Sequence, residues 1–181
     1  VYDDPRYFRP GTGPTCFEAA GRRFGMTICE DLWDATALGR PRYALDPIAQ
    51  LTAQAAPEVI VNIAASGFQR GKLARREALF ARQAKRSGAT LIYVNQVGGN
   101  DGMVFDGSSC AVSPTGDLLA RAASFAEDLL VVDTSAAAGR CEPVDDQTTR
   151  LAKALKLGLR DYVEKGGFPG VVLALSGDLP S

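Results

Sequence analysis

The sequence predicts an α/β fold, in which helices cover apolar β-strands. Strand-like and helix-like segments alternate through about the first 135 residues. The strand-like segments are short, β-branched and almost free of charge, as is typical of strands buried on both faces. A chain of 181 residues with a hydrophobic share of 46% can bury a real core, in one domain or in one domain with part of another.

The first elements alternate regularly. An apolar strand over 23–29 ends at an acidic pair, and strand-like runs follow at 58–63 and 90–97. Helix-like segments lie between them, at 46–55 and 71–87. The second of these helices is apolar on one face and basic on the other, which predicts a solvated basic face. The basic residues are Lys72, Arg75, Arg76, Arg82, Lys85 and Arg86.

A hairpin and a further strand are predicted after this alternation. The hairpin strands, 108–112 and 118–122, flank a Pro-Thr-Gly turn. Residues 128–133 (D-L-L-V-V-D) predict one more strand. The composition then becomes polar and alanine-rich over 134–147, which indicates a linker or a surface excursion.

The last segment predicts the start of a second domain. Residues 146–165 form an amphipathic helical pattern, and residues 170–175 form a buried-strand pattern after a Gly-Gly stop. The apolar stripe of the helix comprises Leu151, Leu155, Leu159 and Tyr162. We therefore divide the chain into a first domain over 1–135, a linker over 136–147 and the beginning of a second domain over 148–181.

Charge and histidine content exclude several classes of function. With 20 basic and 21 acidic residues, a net charge of −1 and no basic block, neither nucleic acid nor an anionic membrane is expected as a partner. The sequence contains no histidine, which excludes a Ser-His-Asp or Cys-His mechanism and a histidine-ligated metal site within this chain. We expect no cofactor in this domain.

Cysteine spacing and the chain ends indicate the setting of the protein. The four cysteines lie far apart without a C-x-x-C pair, which predicts free thiols in a reducing compartment, the cytoplasm. No apolar run approaches the roughly 18 to 20 residues that cross a bilayer. The chain begins without Met and stops just after a strand-like run, so we expect a piece of a longer protein.

Cys29 is the best single candidate for a nucleophile. It ends an apolar strand and is followed at once by Glu30, Asp31 and Trp33. A strand end holds a nucleophile rigidly and presents it beyond the edge of the sheet. Without histidine, the thiol needs a carboxylate or an amine to activate it. A cysteine buried in the core is the alternative interpretation of the same position.

Four sequence blocks carry a specific resemblance to a known family. They are Y-D-D-P-R-Y-F-R-P-G (2–11), G-M-T-I-C-E-D-L-W (25–33), N-I-A-A-S-G-F-Q-R-G-K (62–72) and Y-V-N-Q-V-G-G-N-D-G-M-V-F-D-G-S-S (93–109). Their order and content resemble the nitrilase, or carbon–nitrogen hydrolase, superfamily. More narrowly, they resemble the glutaminase domains of glutamine-dependent NAD synthetases. The resemblance implies the α-β-β-α nitrilase sandwich, of which this chain holds part.

The resemblance also implies site residues. The nitrilase triad is Glu, Lys and Cys; Cys29 matches the cysteine, and the other two are expected upstream of Val1. Glu30 and Trp33 match positions that line the substrate pocket, although ordinary core packing is open for Trp33. Ser66 matches a serine that helps to bind the amino-acid head group of glutamine. A serine that caps the following helix is the alternative.

The end of the chain is similar to the first helix and strand of the family's synthetase domain, an α/β domain of the ATP-pyrophosphatase type. In that family the strand runs into an S-G-G-x-D-S loop that holds the pyrophosphate of ATP. Ser176, Gly177 and Ser181 match this loop, whereas Asp178 and Pro180 depart from it. A carboxylate facing phosphate is unfavourable and proline lacks a donor N–H, so these departures argue against nucleotide binding by this chain.

The function implied is release of ammonia from glutamine through a cysteine thioester. In the complete enzyme the ammonia would amidate deamido-NAD with ATP and Mg²⁺ in the synthetase domain, and a homo-oligomer is expected. One alternative is a stand-alone amidase of the same superfamily that acts on a small amide. Another is a non-catalytic homologue or assembly module.

Overall fold

A six-stranded mixed sheet forms the centre of the molecule. The computed structural model describes residues 4–9, 11–34, 46–136, 138–175 and 177. The strands of the sheet, in spatial order, are β1 (Thr15–Ala19), β2 (Arg22–Ile28), β3 (Val59–Ala64), β4 (Thr90–Asn95), β7 (Cys110–Val112) and β8 (Leu118–Arg121). The remaining two strands, β5 (Val97–Asn100) and β6 (Met103–Asp106), pair with each other.

Helices and one short turn precede, connect or follow these strands. They are α1 (Asp4–Tyr7), a 3₁₀ turn (Cys29–Leu32), α2 (Pro47–Ala55), α3 (Lys72–Ser87) and α4 (Gln147–Lys165). Asp46 caps α2, because its carboxylate accepts the Ala49 N–H at 3.0 Å. In the part of the chain described, no helix is long and apolar enough to cross a membrane. The α/β prediction is confirmed, with helix and strand bounds shifted by one or two residues.

Parallel pairing holds the middle of the sheet. Strands β2, β3 and β4 run parallel, while β1 and β7 flank them in antiparallel orientation. The antiparallel pair β7–β8 is the predicted hairpin. Because parallel strands end at the same edge of a sheet, the carboxyl ends of β2, β3 and β4 bring Cys29, Ser66 and Asn95 to one edge.

One face of the sheet carries the hydrophobic core. Ile60 of β3 and Leu91 of β4 point to this face and are fully buried, together with Leu51 of α2 and Phe80 of α3. Gly25 permits the close packing of α2, because a Cβ there would lie 2.6 Å from Cδ2 of Leu51. The predicted apolar face of α3 is therefore correct.

The opposite face of the same strands is apolar and exposed. Ile28, Ile63 and Val94 form one row across β2, β3 and β4, since Ile28 pairs with Ile63 and Ile63 with Val94. Their relative exposures are 70%, 51% and 44%. The described residues thus supply one sheet and its helical layer, which is half of a sandwich.

Two predicted strands are wrong. Residues 128–133 have no strand partner in the described chain, and Leu129 is 88% exposed. Residues 170–175 also follow an irregular, exposed path, with Val172 fully exposed. Both runs have the composition of a strand, but a strand forms only where a neighbour supplies the ladder hydrogen bonds.

Helix α4 is present where predicted, but its orientation is the reverse of the prediction. The apolar stripe faces outward, with Leu155, Leu159 and Tyr162 each at least 60% exposed. The side chains of Arg150 and Asp161 are buried instead. Asp161 accepts the Gly99 N–H at 2.7 Å, so the helix docks on β5–β6 through polar as well as apolar contacts. The described residues of the predicted linker are irregular up to Asp146, and Gln147 already begins α4; the domain division stays a prediction.

Candidate active site

Cys29 begins the 3₁₀ turn that follows β2. Its φ is +44°, a left-handed conformation that a residue with a side chain rarely adopts and that collects at functional sites. The side chain is half-buried and packs against the edge of the core. Cys110 differs: it is 3% exposed, and burial raises the pKa of its thiol to about 12. The buried core cysteine is thus Cys110, while Cys29 occupies a strained strand end.

Hydrogen bonds from several elements fix the turn that carries Cys29. The Ile28 N–H donates to Oδ2 of Asp31 at 2.8 Å, and Nε2 of Gln83 donates to the Leu32 carbonyl at 2.7 Å. Nδ2 of Asn62 donates to the Cys29 carbonyl at 3.4 Å. Because these donors and acceptors come from the turn, from α3 and from β3, the position of Cys29 depends on the whole helix-covered layer.

A polar row crosses the sheet beneath Cys29. Thr27, Asn62 and Tyr93 are adjacent in register on β2, β3 and β4, and all three are at most 5% exposed. Nδ2 of Asn62 donates to Oγ1 of Thr27 at 2.9 Å. Burial raises the pKa of Tyr93 to about 12, so its hydroxyl stays protonated at neutral pH and can act as a donor.

Lys72 lies beside Trp33, at the sheet edge that carries Cys29, which the sequence analysis did not predict. Its amine lies 5.8 Å from the centroid of the Trp33 ring and donates to the Gly67 carbonyl at 3.0 Å. Burial lowers the pKa of Lys72, Arg76 lowers it further and Cys29 opposes this effect. The prediction that Lys72 belongs to a solvated basic face is wrong, since this cation is half-buried at the edge that carries the thiol.

Arg76 is a second exception to the predicted basic face. It is 1% exposed, and its guanidinium binds Asp106 through two hydrogen bonds of 2.9 and 2.8 Å. Nearly two helical turns further along, the partly exposed Arg82 pairs with Asp34. Only the outer part of the basic series is therefore solvated, because the helix buries every third or fourth side chain whatever its charge.

Ser66 follows the end of β3, and hydrogen bonds to its backbone fix its position. It is 5% exposed, and its N–H donates to Oδ1 of Asn95 at 2.8 Å. The capping alternative is wrong: α3 begins at Lys72, its N-cap is Gly71 and no side-chain cap is present. Ser66 thus lies in the loop between β3 and α3, and its role in binding a substrate stays a prediction.

Glu30 lies in the 3₁₀ turn that carries Cys29, and Trp33 ends that turn. Both are half-buried, and the Trp33 N–H donates to the Glu30 carbonyl at 2.8 Å, which closes the 3₁₀ turn. Trp33 packs against the core and also faces the amine of Lys72. The structure therefore brings Cys29, Glu30, Trp33 and Ser66 to one region, while their roles toward a substrate stay predictions.

The match of the chain end to a phosphate-binding loop, and the expectation that its departures prevent nucleotide binding, both stay untested. Ser176 and Ser181 lie outside the described residues. Gly177 is described, and its φ of +80° suits a turn that only glycine adopts readily. Within the described ranges, no group of three or more metal-ligating side chains occurs.

The sequence analysis missed Asn95 and Tyr93 as well as Lys72. A signal for the first two was available: each interrupts an otherwise apolar buried strand at a position that faces the helices. A polar residue in such a place must find a hydrogen-bonding partner, so it marks a buried network. No comparable signal marks Lys72, because its neighbours Arg75 and Arg86 are ordinary surface cations.

Comparison with known proteins identifies the family. Residues 2–141 match the carbon–nitrogen hydrolase family. The whole chain is 39% identical to the glutamine-dependent NAD(+) synthetase of Synechocystis sp. and 34% identical to that of Aquifex aeolicus. It covers 34% and 36% of those two proteins, so it spans about a third of the length of these curated relatives.

Solved structures agree with the sequence comparison. The chain is similar to the glutamine-dependent NAD+ synthetase of Acinetobacter baumannii, determined with adenosine diphosphate, with a TM-score of 0.82 and 33% identity over 98% of this chain and 32% of that one. An amidase of Nesterenkonia sp. shares the fold, with a TM-score of 0.53 and 24% identity over 68% of this chain and 42% of that one. The family resemblance of the four motifs is confirmed, and this chain belongs to the carbon–nitrogen hydrolase family.

Proposed function

We propose that this chain supplies the glutamine-hydrolysing site of a glutamine-dependent NAD synthetase. The observation that carries the proposal is Cys29, strained at the end of a parallel strand, with the cation of Lys72 and the buried Ser66 at the same edge. Similarity over the whole chain, α4 included, favours a synthetase over a stand-alone amidase, since the likeness to the Nesterenkonia amidase covers only 68% of the chain.

The reaction is hydrolysis of the side-chain amide of glutamine. Sγ of Cys29 attacks the amide carbon, the C–N bond breaks and ammonia leaves with the proton that the thiol gave up. Water then cleaves the glutamyl thioester, which releases glutamate and restores the thiol. By resemblance, the general-base Glu and the Lys that stabilises the oxyanion lie upstream of Val1.

Lys72 and Ser66 suit the head group of glutamine. A half-buried ammonium is a good partner for the α-carboxylate, because a charge-assisted hydrogen bond gains strength where water is partly excluded. The Ser66 hydroxyl can donate to the same carboxylate or accept from the α-amine. The face of the Trp33 ring lies next to the Lys72 amine.

The remaining parts of the proposal concern the whole protein. The ammonia would amidate deamido-NAD with ATP and Mg²⁺ in a second domain, of which α4 and the residues after it would be the first part. Assembly as a homo-oligomer and location in the cytoplasm belong to the same proposal. The named NAD synthetase relatives support the synthesis of NAD, by similarity alone.

Replacing the nucleophile tests the proposal. In the longer polypeptide that we expect to contain this chain, Cys29→Ala should abolish NAD synthesis from glutamine, because no thioester can form. Synthesis from added ammonia should persist, because ammonia bypasses the thiol. NAD formation with each nitrogen source, measured on one preparation, reports both activities.

An exposed cysteine provides the matched control. Cys16→Ala on β1 removes a thiol from the surface and should leave both activities unchanged. Loss of both activities in Cys29→Ala would mean that Cys29 is structural. Retention of both would remove it from catalysis and overturn the proposed function.

A further inference from the structure

Asp106 is the centre of a buried ionic cluster between α3 and α4. Its carboxylate is 3% exposed and binds two arginines, Arg76 of α3 and Arg150 of α4. Nη2 of Arg150 donates to Oδ2 of Asp106 at 2.8 Å. A single carboxylate thus joins two helices that are far apart in the chain.

Arg150 is enclosed by groups that fix its guanidinium. The side chain is 2% exposed, Nη1 donates to Oγ of Ser124 at 3.1 Å, and the Phe125 ring centroid lies 5.2 Å from Cζ. A buried guanidinium costs free energy unless its donors are paired. The position of this group is therefore well defined with respect to Asp106.

Asp106 in turn orients the amide of Asn95. Nδ2 of Asn95 donates to Oδ1 of Asp106 at 3.4 Å and to the Gly107 carbonyl at 3.0 Å. The Asp106 carboxylate and the Gly107 carbonyl can only accept hydrogen bonds. If the amide of Asn95 were flipped, its oxygen would therefore face the Asp106 carboxylate. The acceptor Oδ1 of Asn95 must consequently point away from Asp106.

The side-chain amide of Asn95 binds the backbone of Ser66. Oδ1 of Asn95 accepts the Ser66 N–H at 2.8 Å, and Nδ2 of Asn95 donates to the Ser66 carbonyl at 3.3 Å. The two bonds clamp the backbone of Ser66 from both sides, as a neighbouring strand would. The position of the backbone from which the Ser66 hydroxyl projects therefore depends on the amide of Asn95.

We propose that Arg150 is a positioning residue for Ser66, through Asp106 and Asn95, and thereby sets how tightly the site binds the head group of glutamine. The glutamine part rests on the proposed function. Arg150 lies outside residues 2–141, the part that matches the carbon–nitrogen hydrolase family. The site therefore requires a side chain from the helix that leads out of that domain, and a shift of α4 changes the site.

Arg150 is a better test position than Arg76 or Asp106. Without Arg150, the Arg76–Asp106 pair keeps its two hydrogen bonds and a net charge of zero. The buried carboxylate of Asp106 therefore still has a counter-ion. Removal of Asp106 would instead leave two buried cations without their counter-ion. Arg150→Lys keeps the charge but loses the planar fork that reaches Asp106 and Ser124 together.

The experiment uses Arg150→Lys and Arg150→Met in the longer polypeptide. The KM for glutamine should rise roughly three- to thirtyfold, the range of coupling that one such residue carries, with a smaller change in kcat. Arg150→Lys should lie between wild type and Arg150→Met. Synthesis from ammonia should be unchanged. Lys153→Met, an exposed cation one turn along α4, is the matched control and should leave every value unchanged.

Two further readouts separate positioning from stability. In Arg150→Lys, hydrogen exchange of the Ser66 amide should increase relative to Lys153→Met, while exchange in β4 stays the same. Effects of Ser66→Ala and Arg150→Lys on the KM should not add, because both act on one hydroxyl. Additive effects, or an unchanged KM with unchanged Ser66 exchange, would overturn the proposal.

Failure of the proposed function gives a different result. A wild-type protein that does not use glutamine contradicts that function whatever Arg150 does. Ser66 exchange still decides the positioning role in that case: faster exchange in Arg150→Lys supports the link from α4 to Ser66, and unchanged exchange removes it.

Discussion

The two faces of the central sheet are built from the same strands but have opposite surroundings. On the face covered by α2 and α3, Ile60 and Leu91 are fully buried. On the other face, Ile63 and Val94 are 51% and 44% exposed. Apolar residues on both faces are typical of parallel strands that lie between two layers. The comparison teaches that these strands carry the composition for a second layer that the described residues do not provide.

The largest expected effect comes from a matched pair on β3. Ile60→Ala should lower the free energy of unfolding by about 4 kcal/mol, because it leaves a cavity in a packed core. Ile63→Ala removes the same atoms from an exposed position and should cost less than about 1 kcal/mol. Denaturant unfolding of the two variants measures the difference. Equal losses would show that the open face is covered in solution.

A smaller effect is expected for charges that lie on the covered side. Arg76→Met should cost about 3 kcal/mol, because it removes a partner from a buried carboxylate. Arg150 remains bound to Asp106 and limits the loss. On the same helix, Arg86→Met breaks an exposed pair with Asp46 and should cost at most about 1 kcal/mol. Thermal unfolding compares them, and similar costs would contradict the difference in burial between the two pairs.

The smallest effect on stability is expected from the open face. Replacement of Ile28, Ile63 and Val94 by Thr should change the free energy of unfolding by less than about 1 kcal/mol, since none of the three is buried. Binding of a hydrophobic dye and self-association should fall, because an apolar patch is removed. Dye fluorescence and sedimentation measure these changes. An unaltered dye signal would show that the row is not accessible.

The composition of α4 also does not show which of its polar groups are buried. The stripe Leu155, Leu159 and Tyr162 has the pattern of a core face, yet α4 buries the charged Arg150 and Asp161 together with Ala154 and Leu157. An amphipathic pattern identifies a face that is able to pack, but the partner decides which face does. Here α4 packs against β5–β6, where the Gly99 N–H donates to the carboxylate of Asp161.

The order of elements, the family and the position of Cys29 at the end of a strand could be predicted from the sequence, because they depend on local patterns. Apolar runs and their stop signals place β2, β3 and β4, and the block around Cys29 is continuous in the chain. The same patterns predicted a strand wrongly at 128–133, because a run with strand composition forms a strand only beside a neighbouring strand.

Only the tertiary structure decided which charged side chains are buried and which reach the candidate site. Lys72 looks like its basic neighbours in sequence but lies beside Trp33, because α3 starts at the sheet edge that carries Cys29. Asp106 and Arg150 are 44 positions apart and meet at 2.8 Å. Local periodicity carries no information about such pairs, since their contact exists only when β6 and α4 pack against each other.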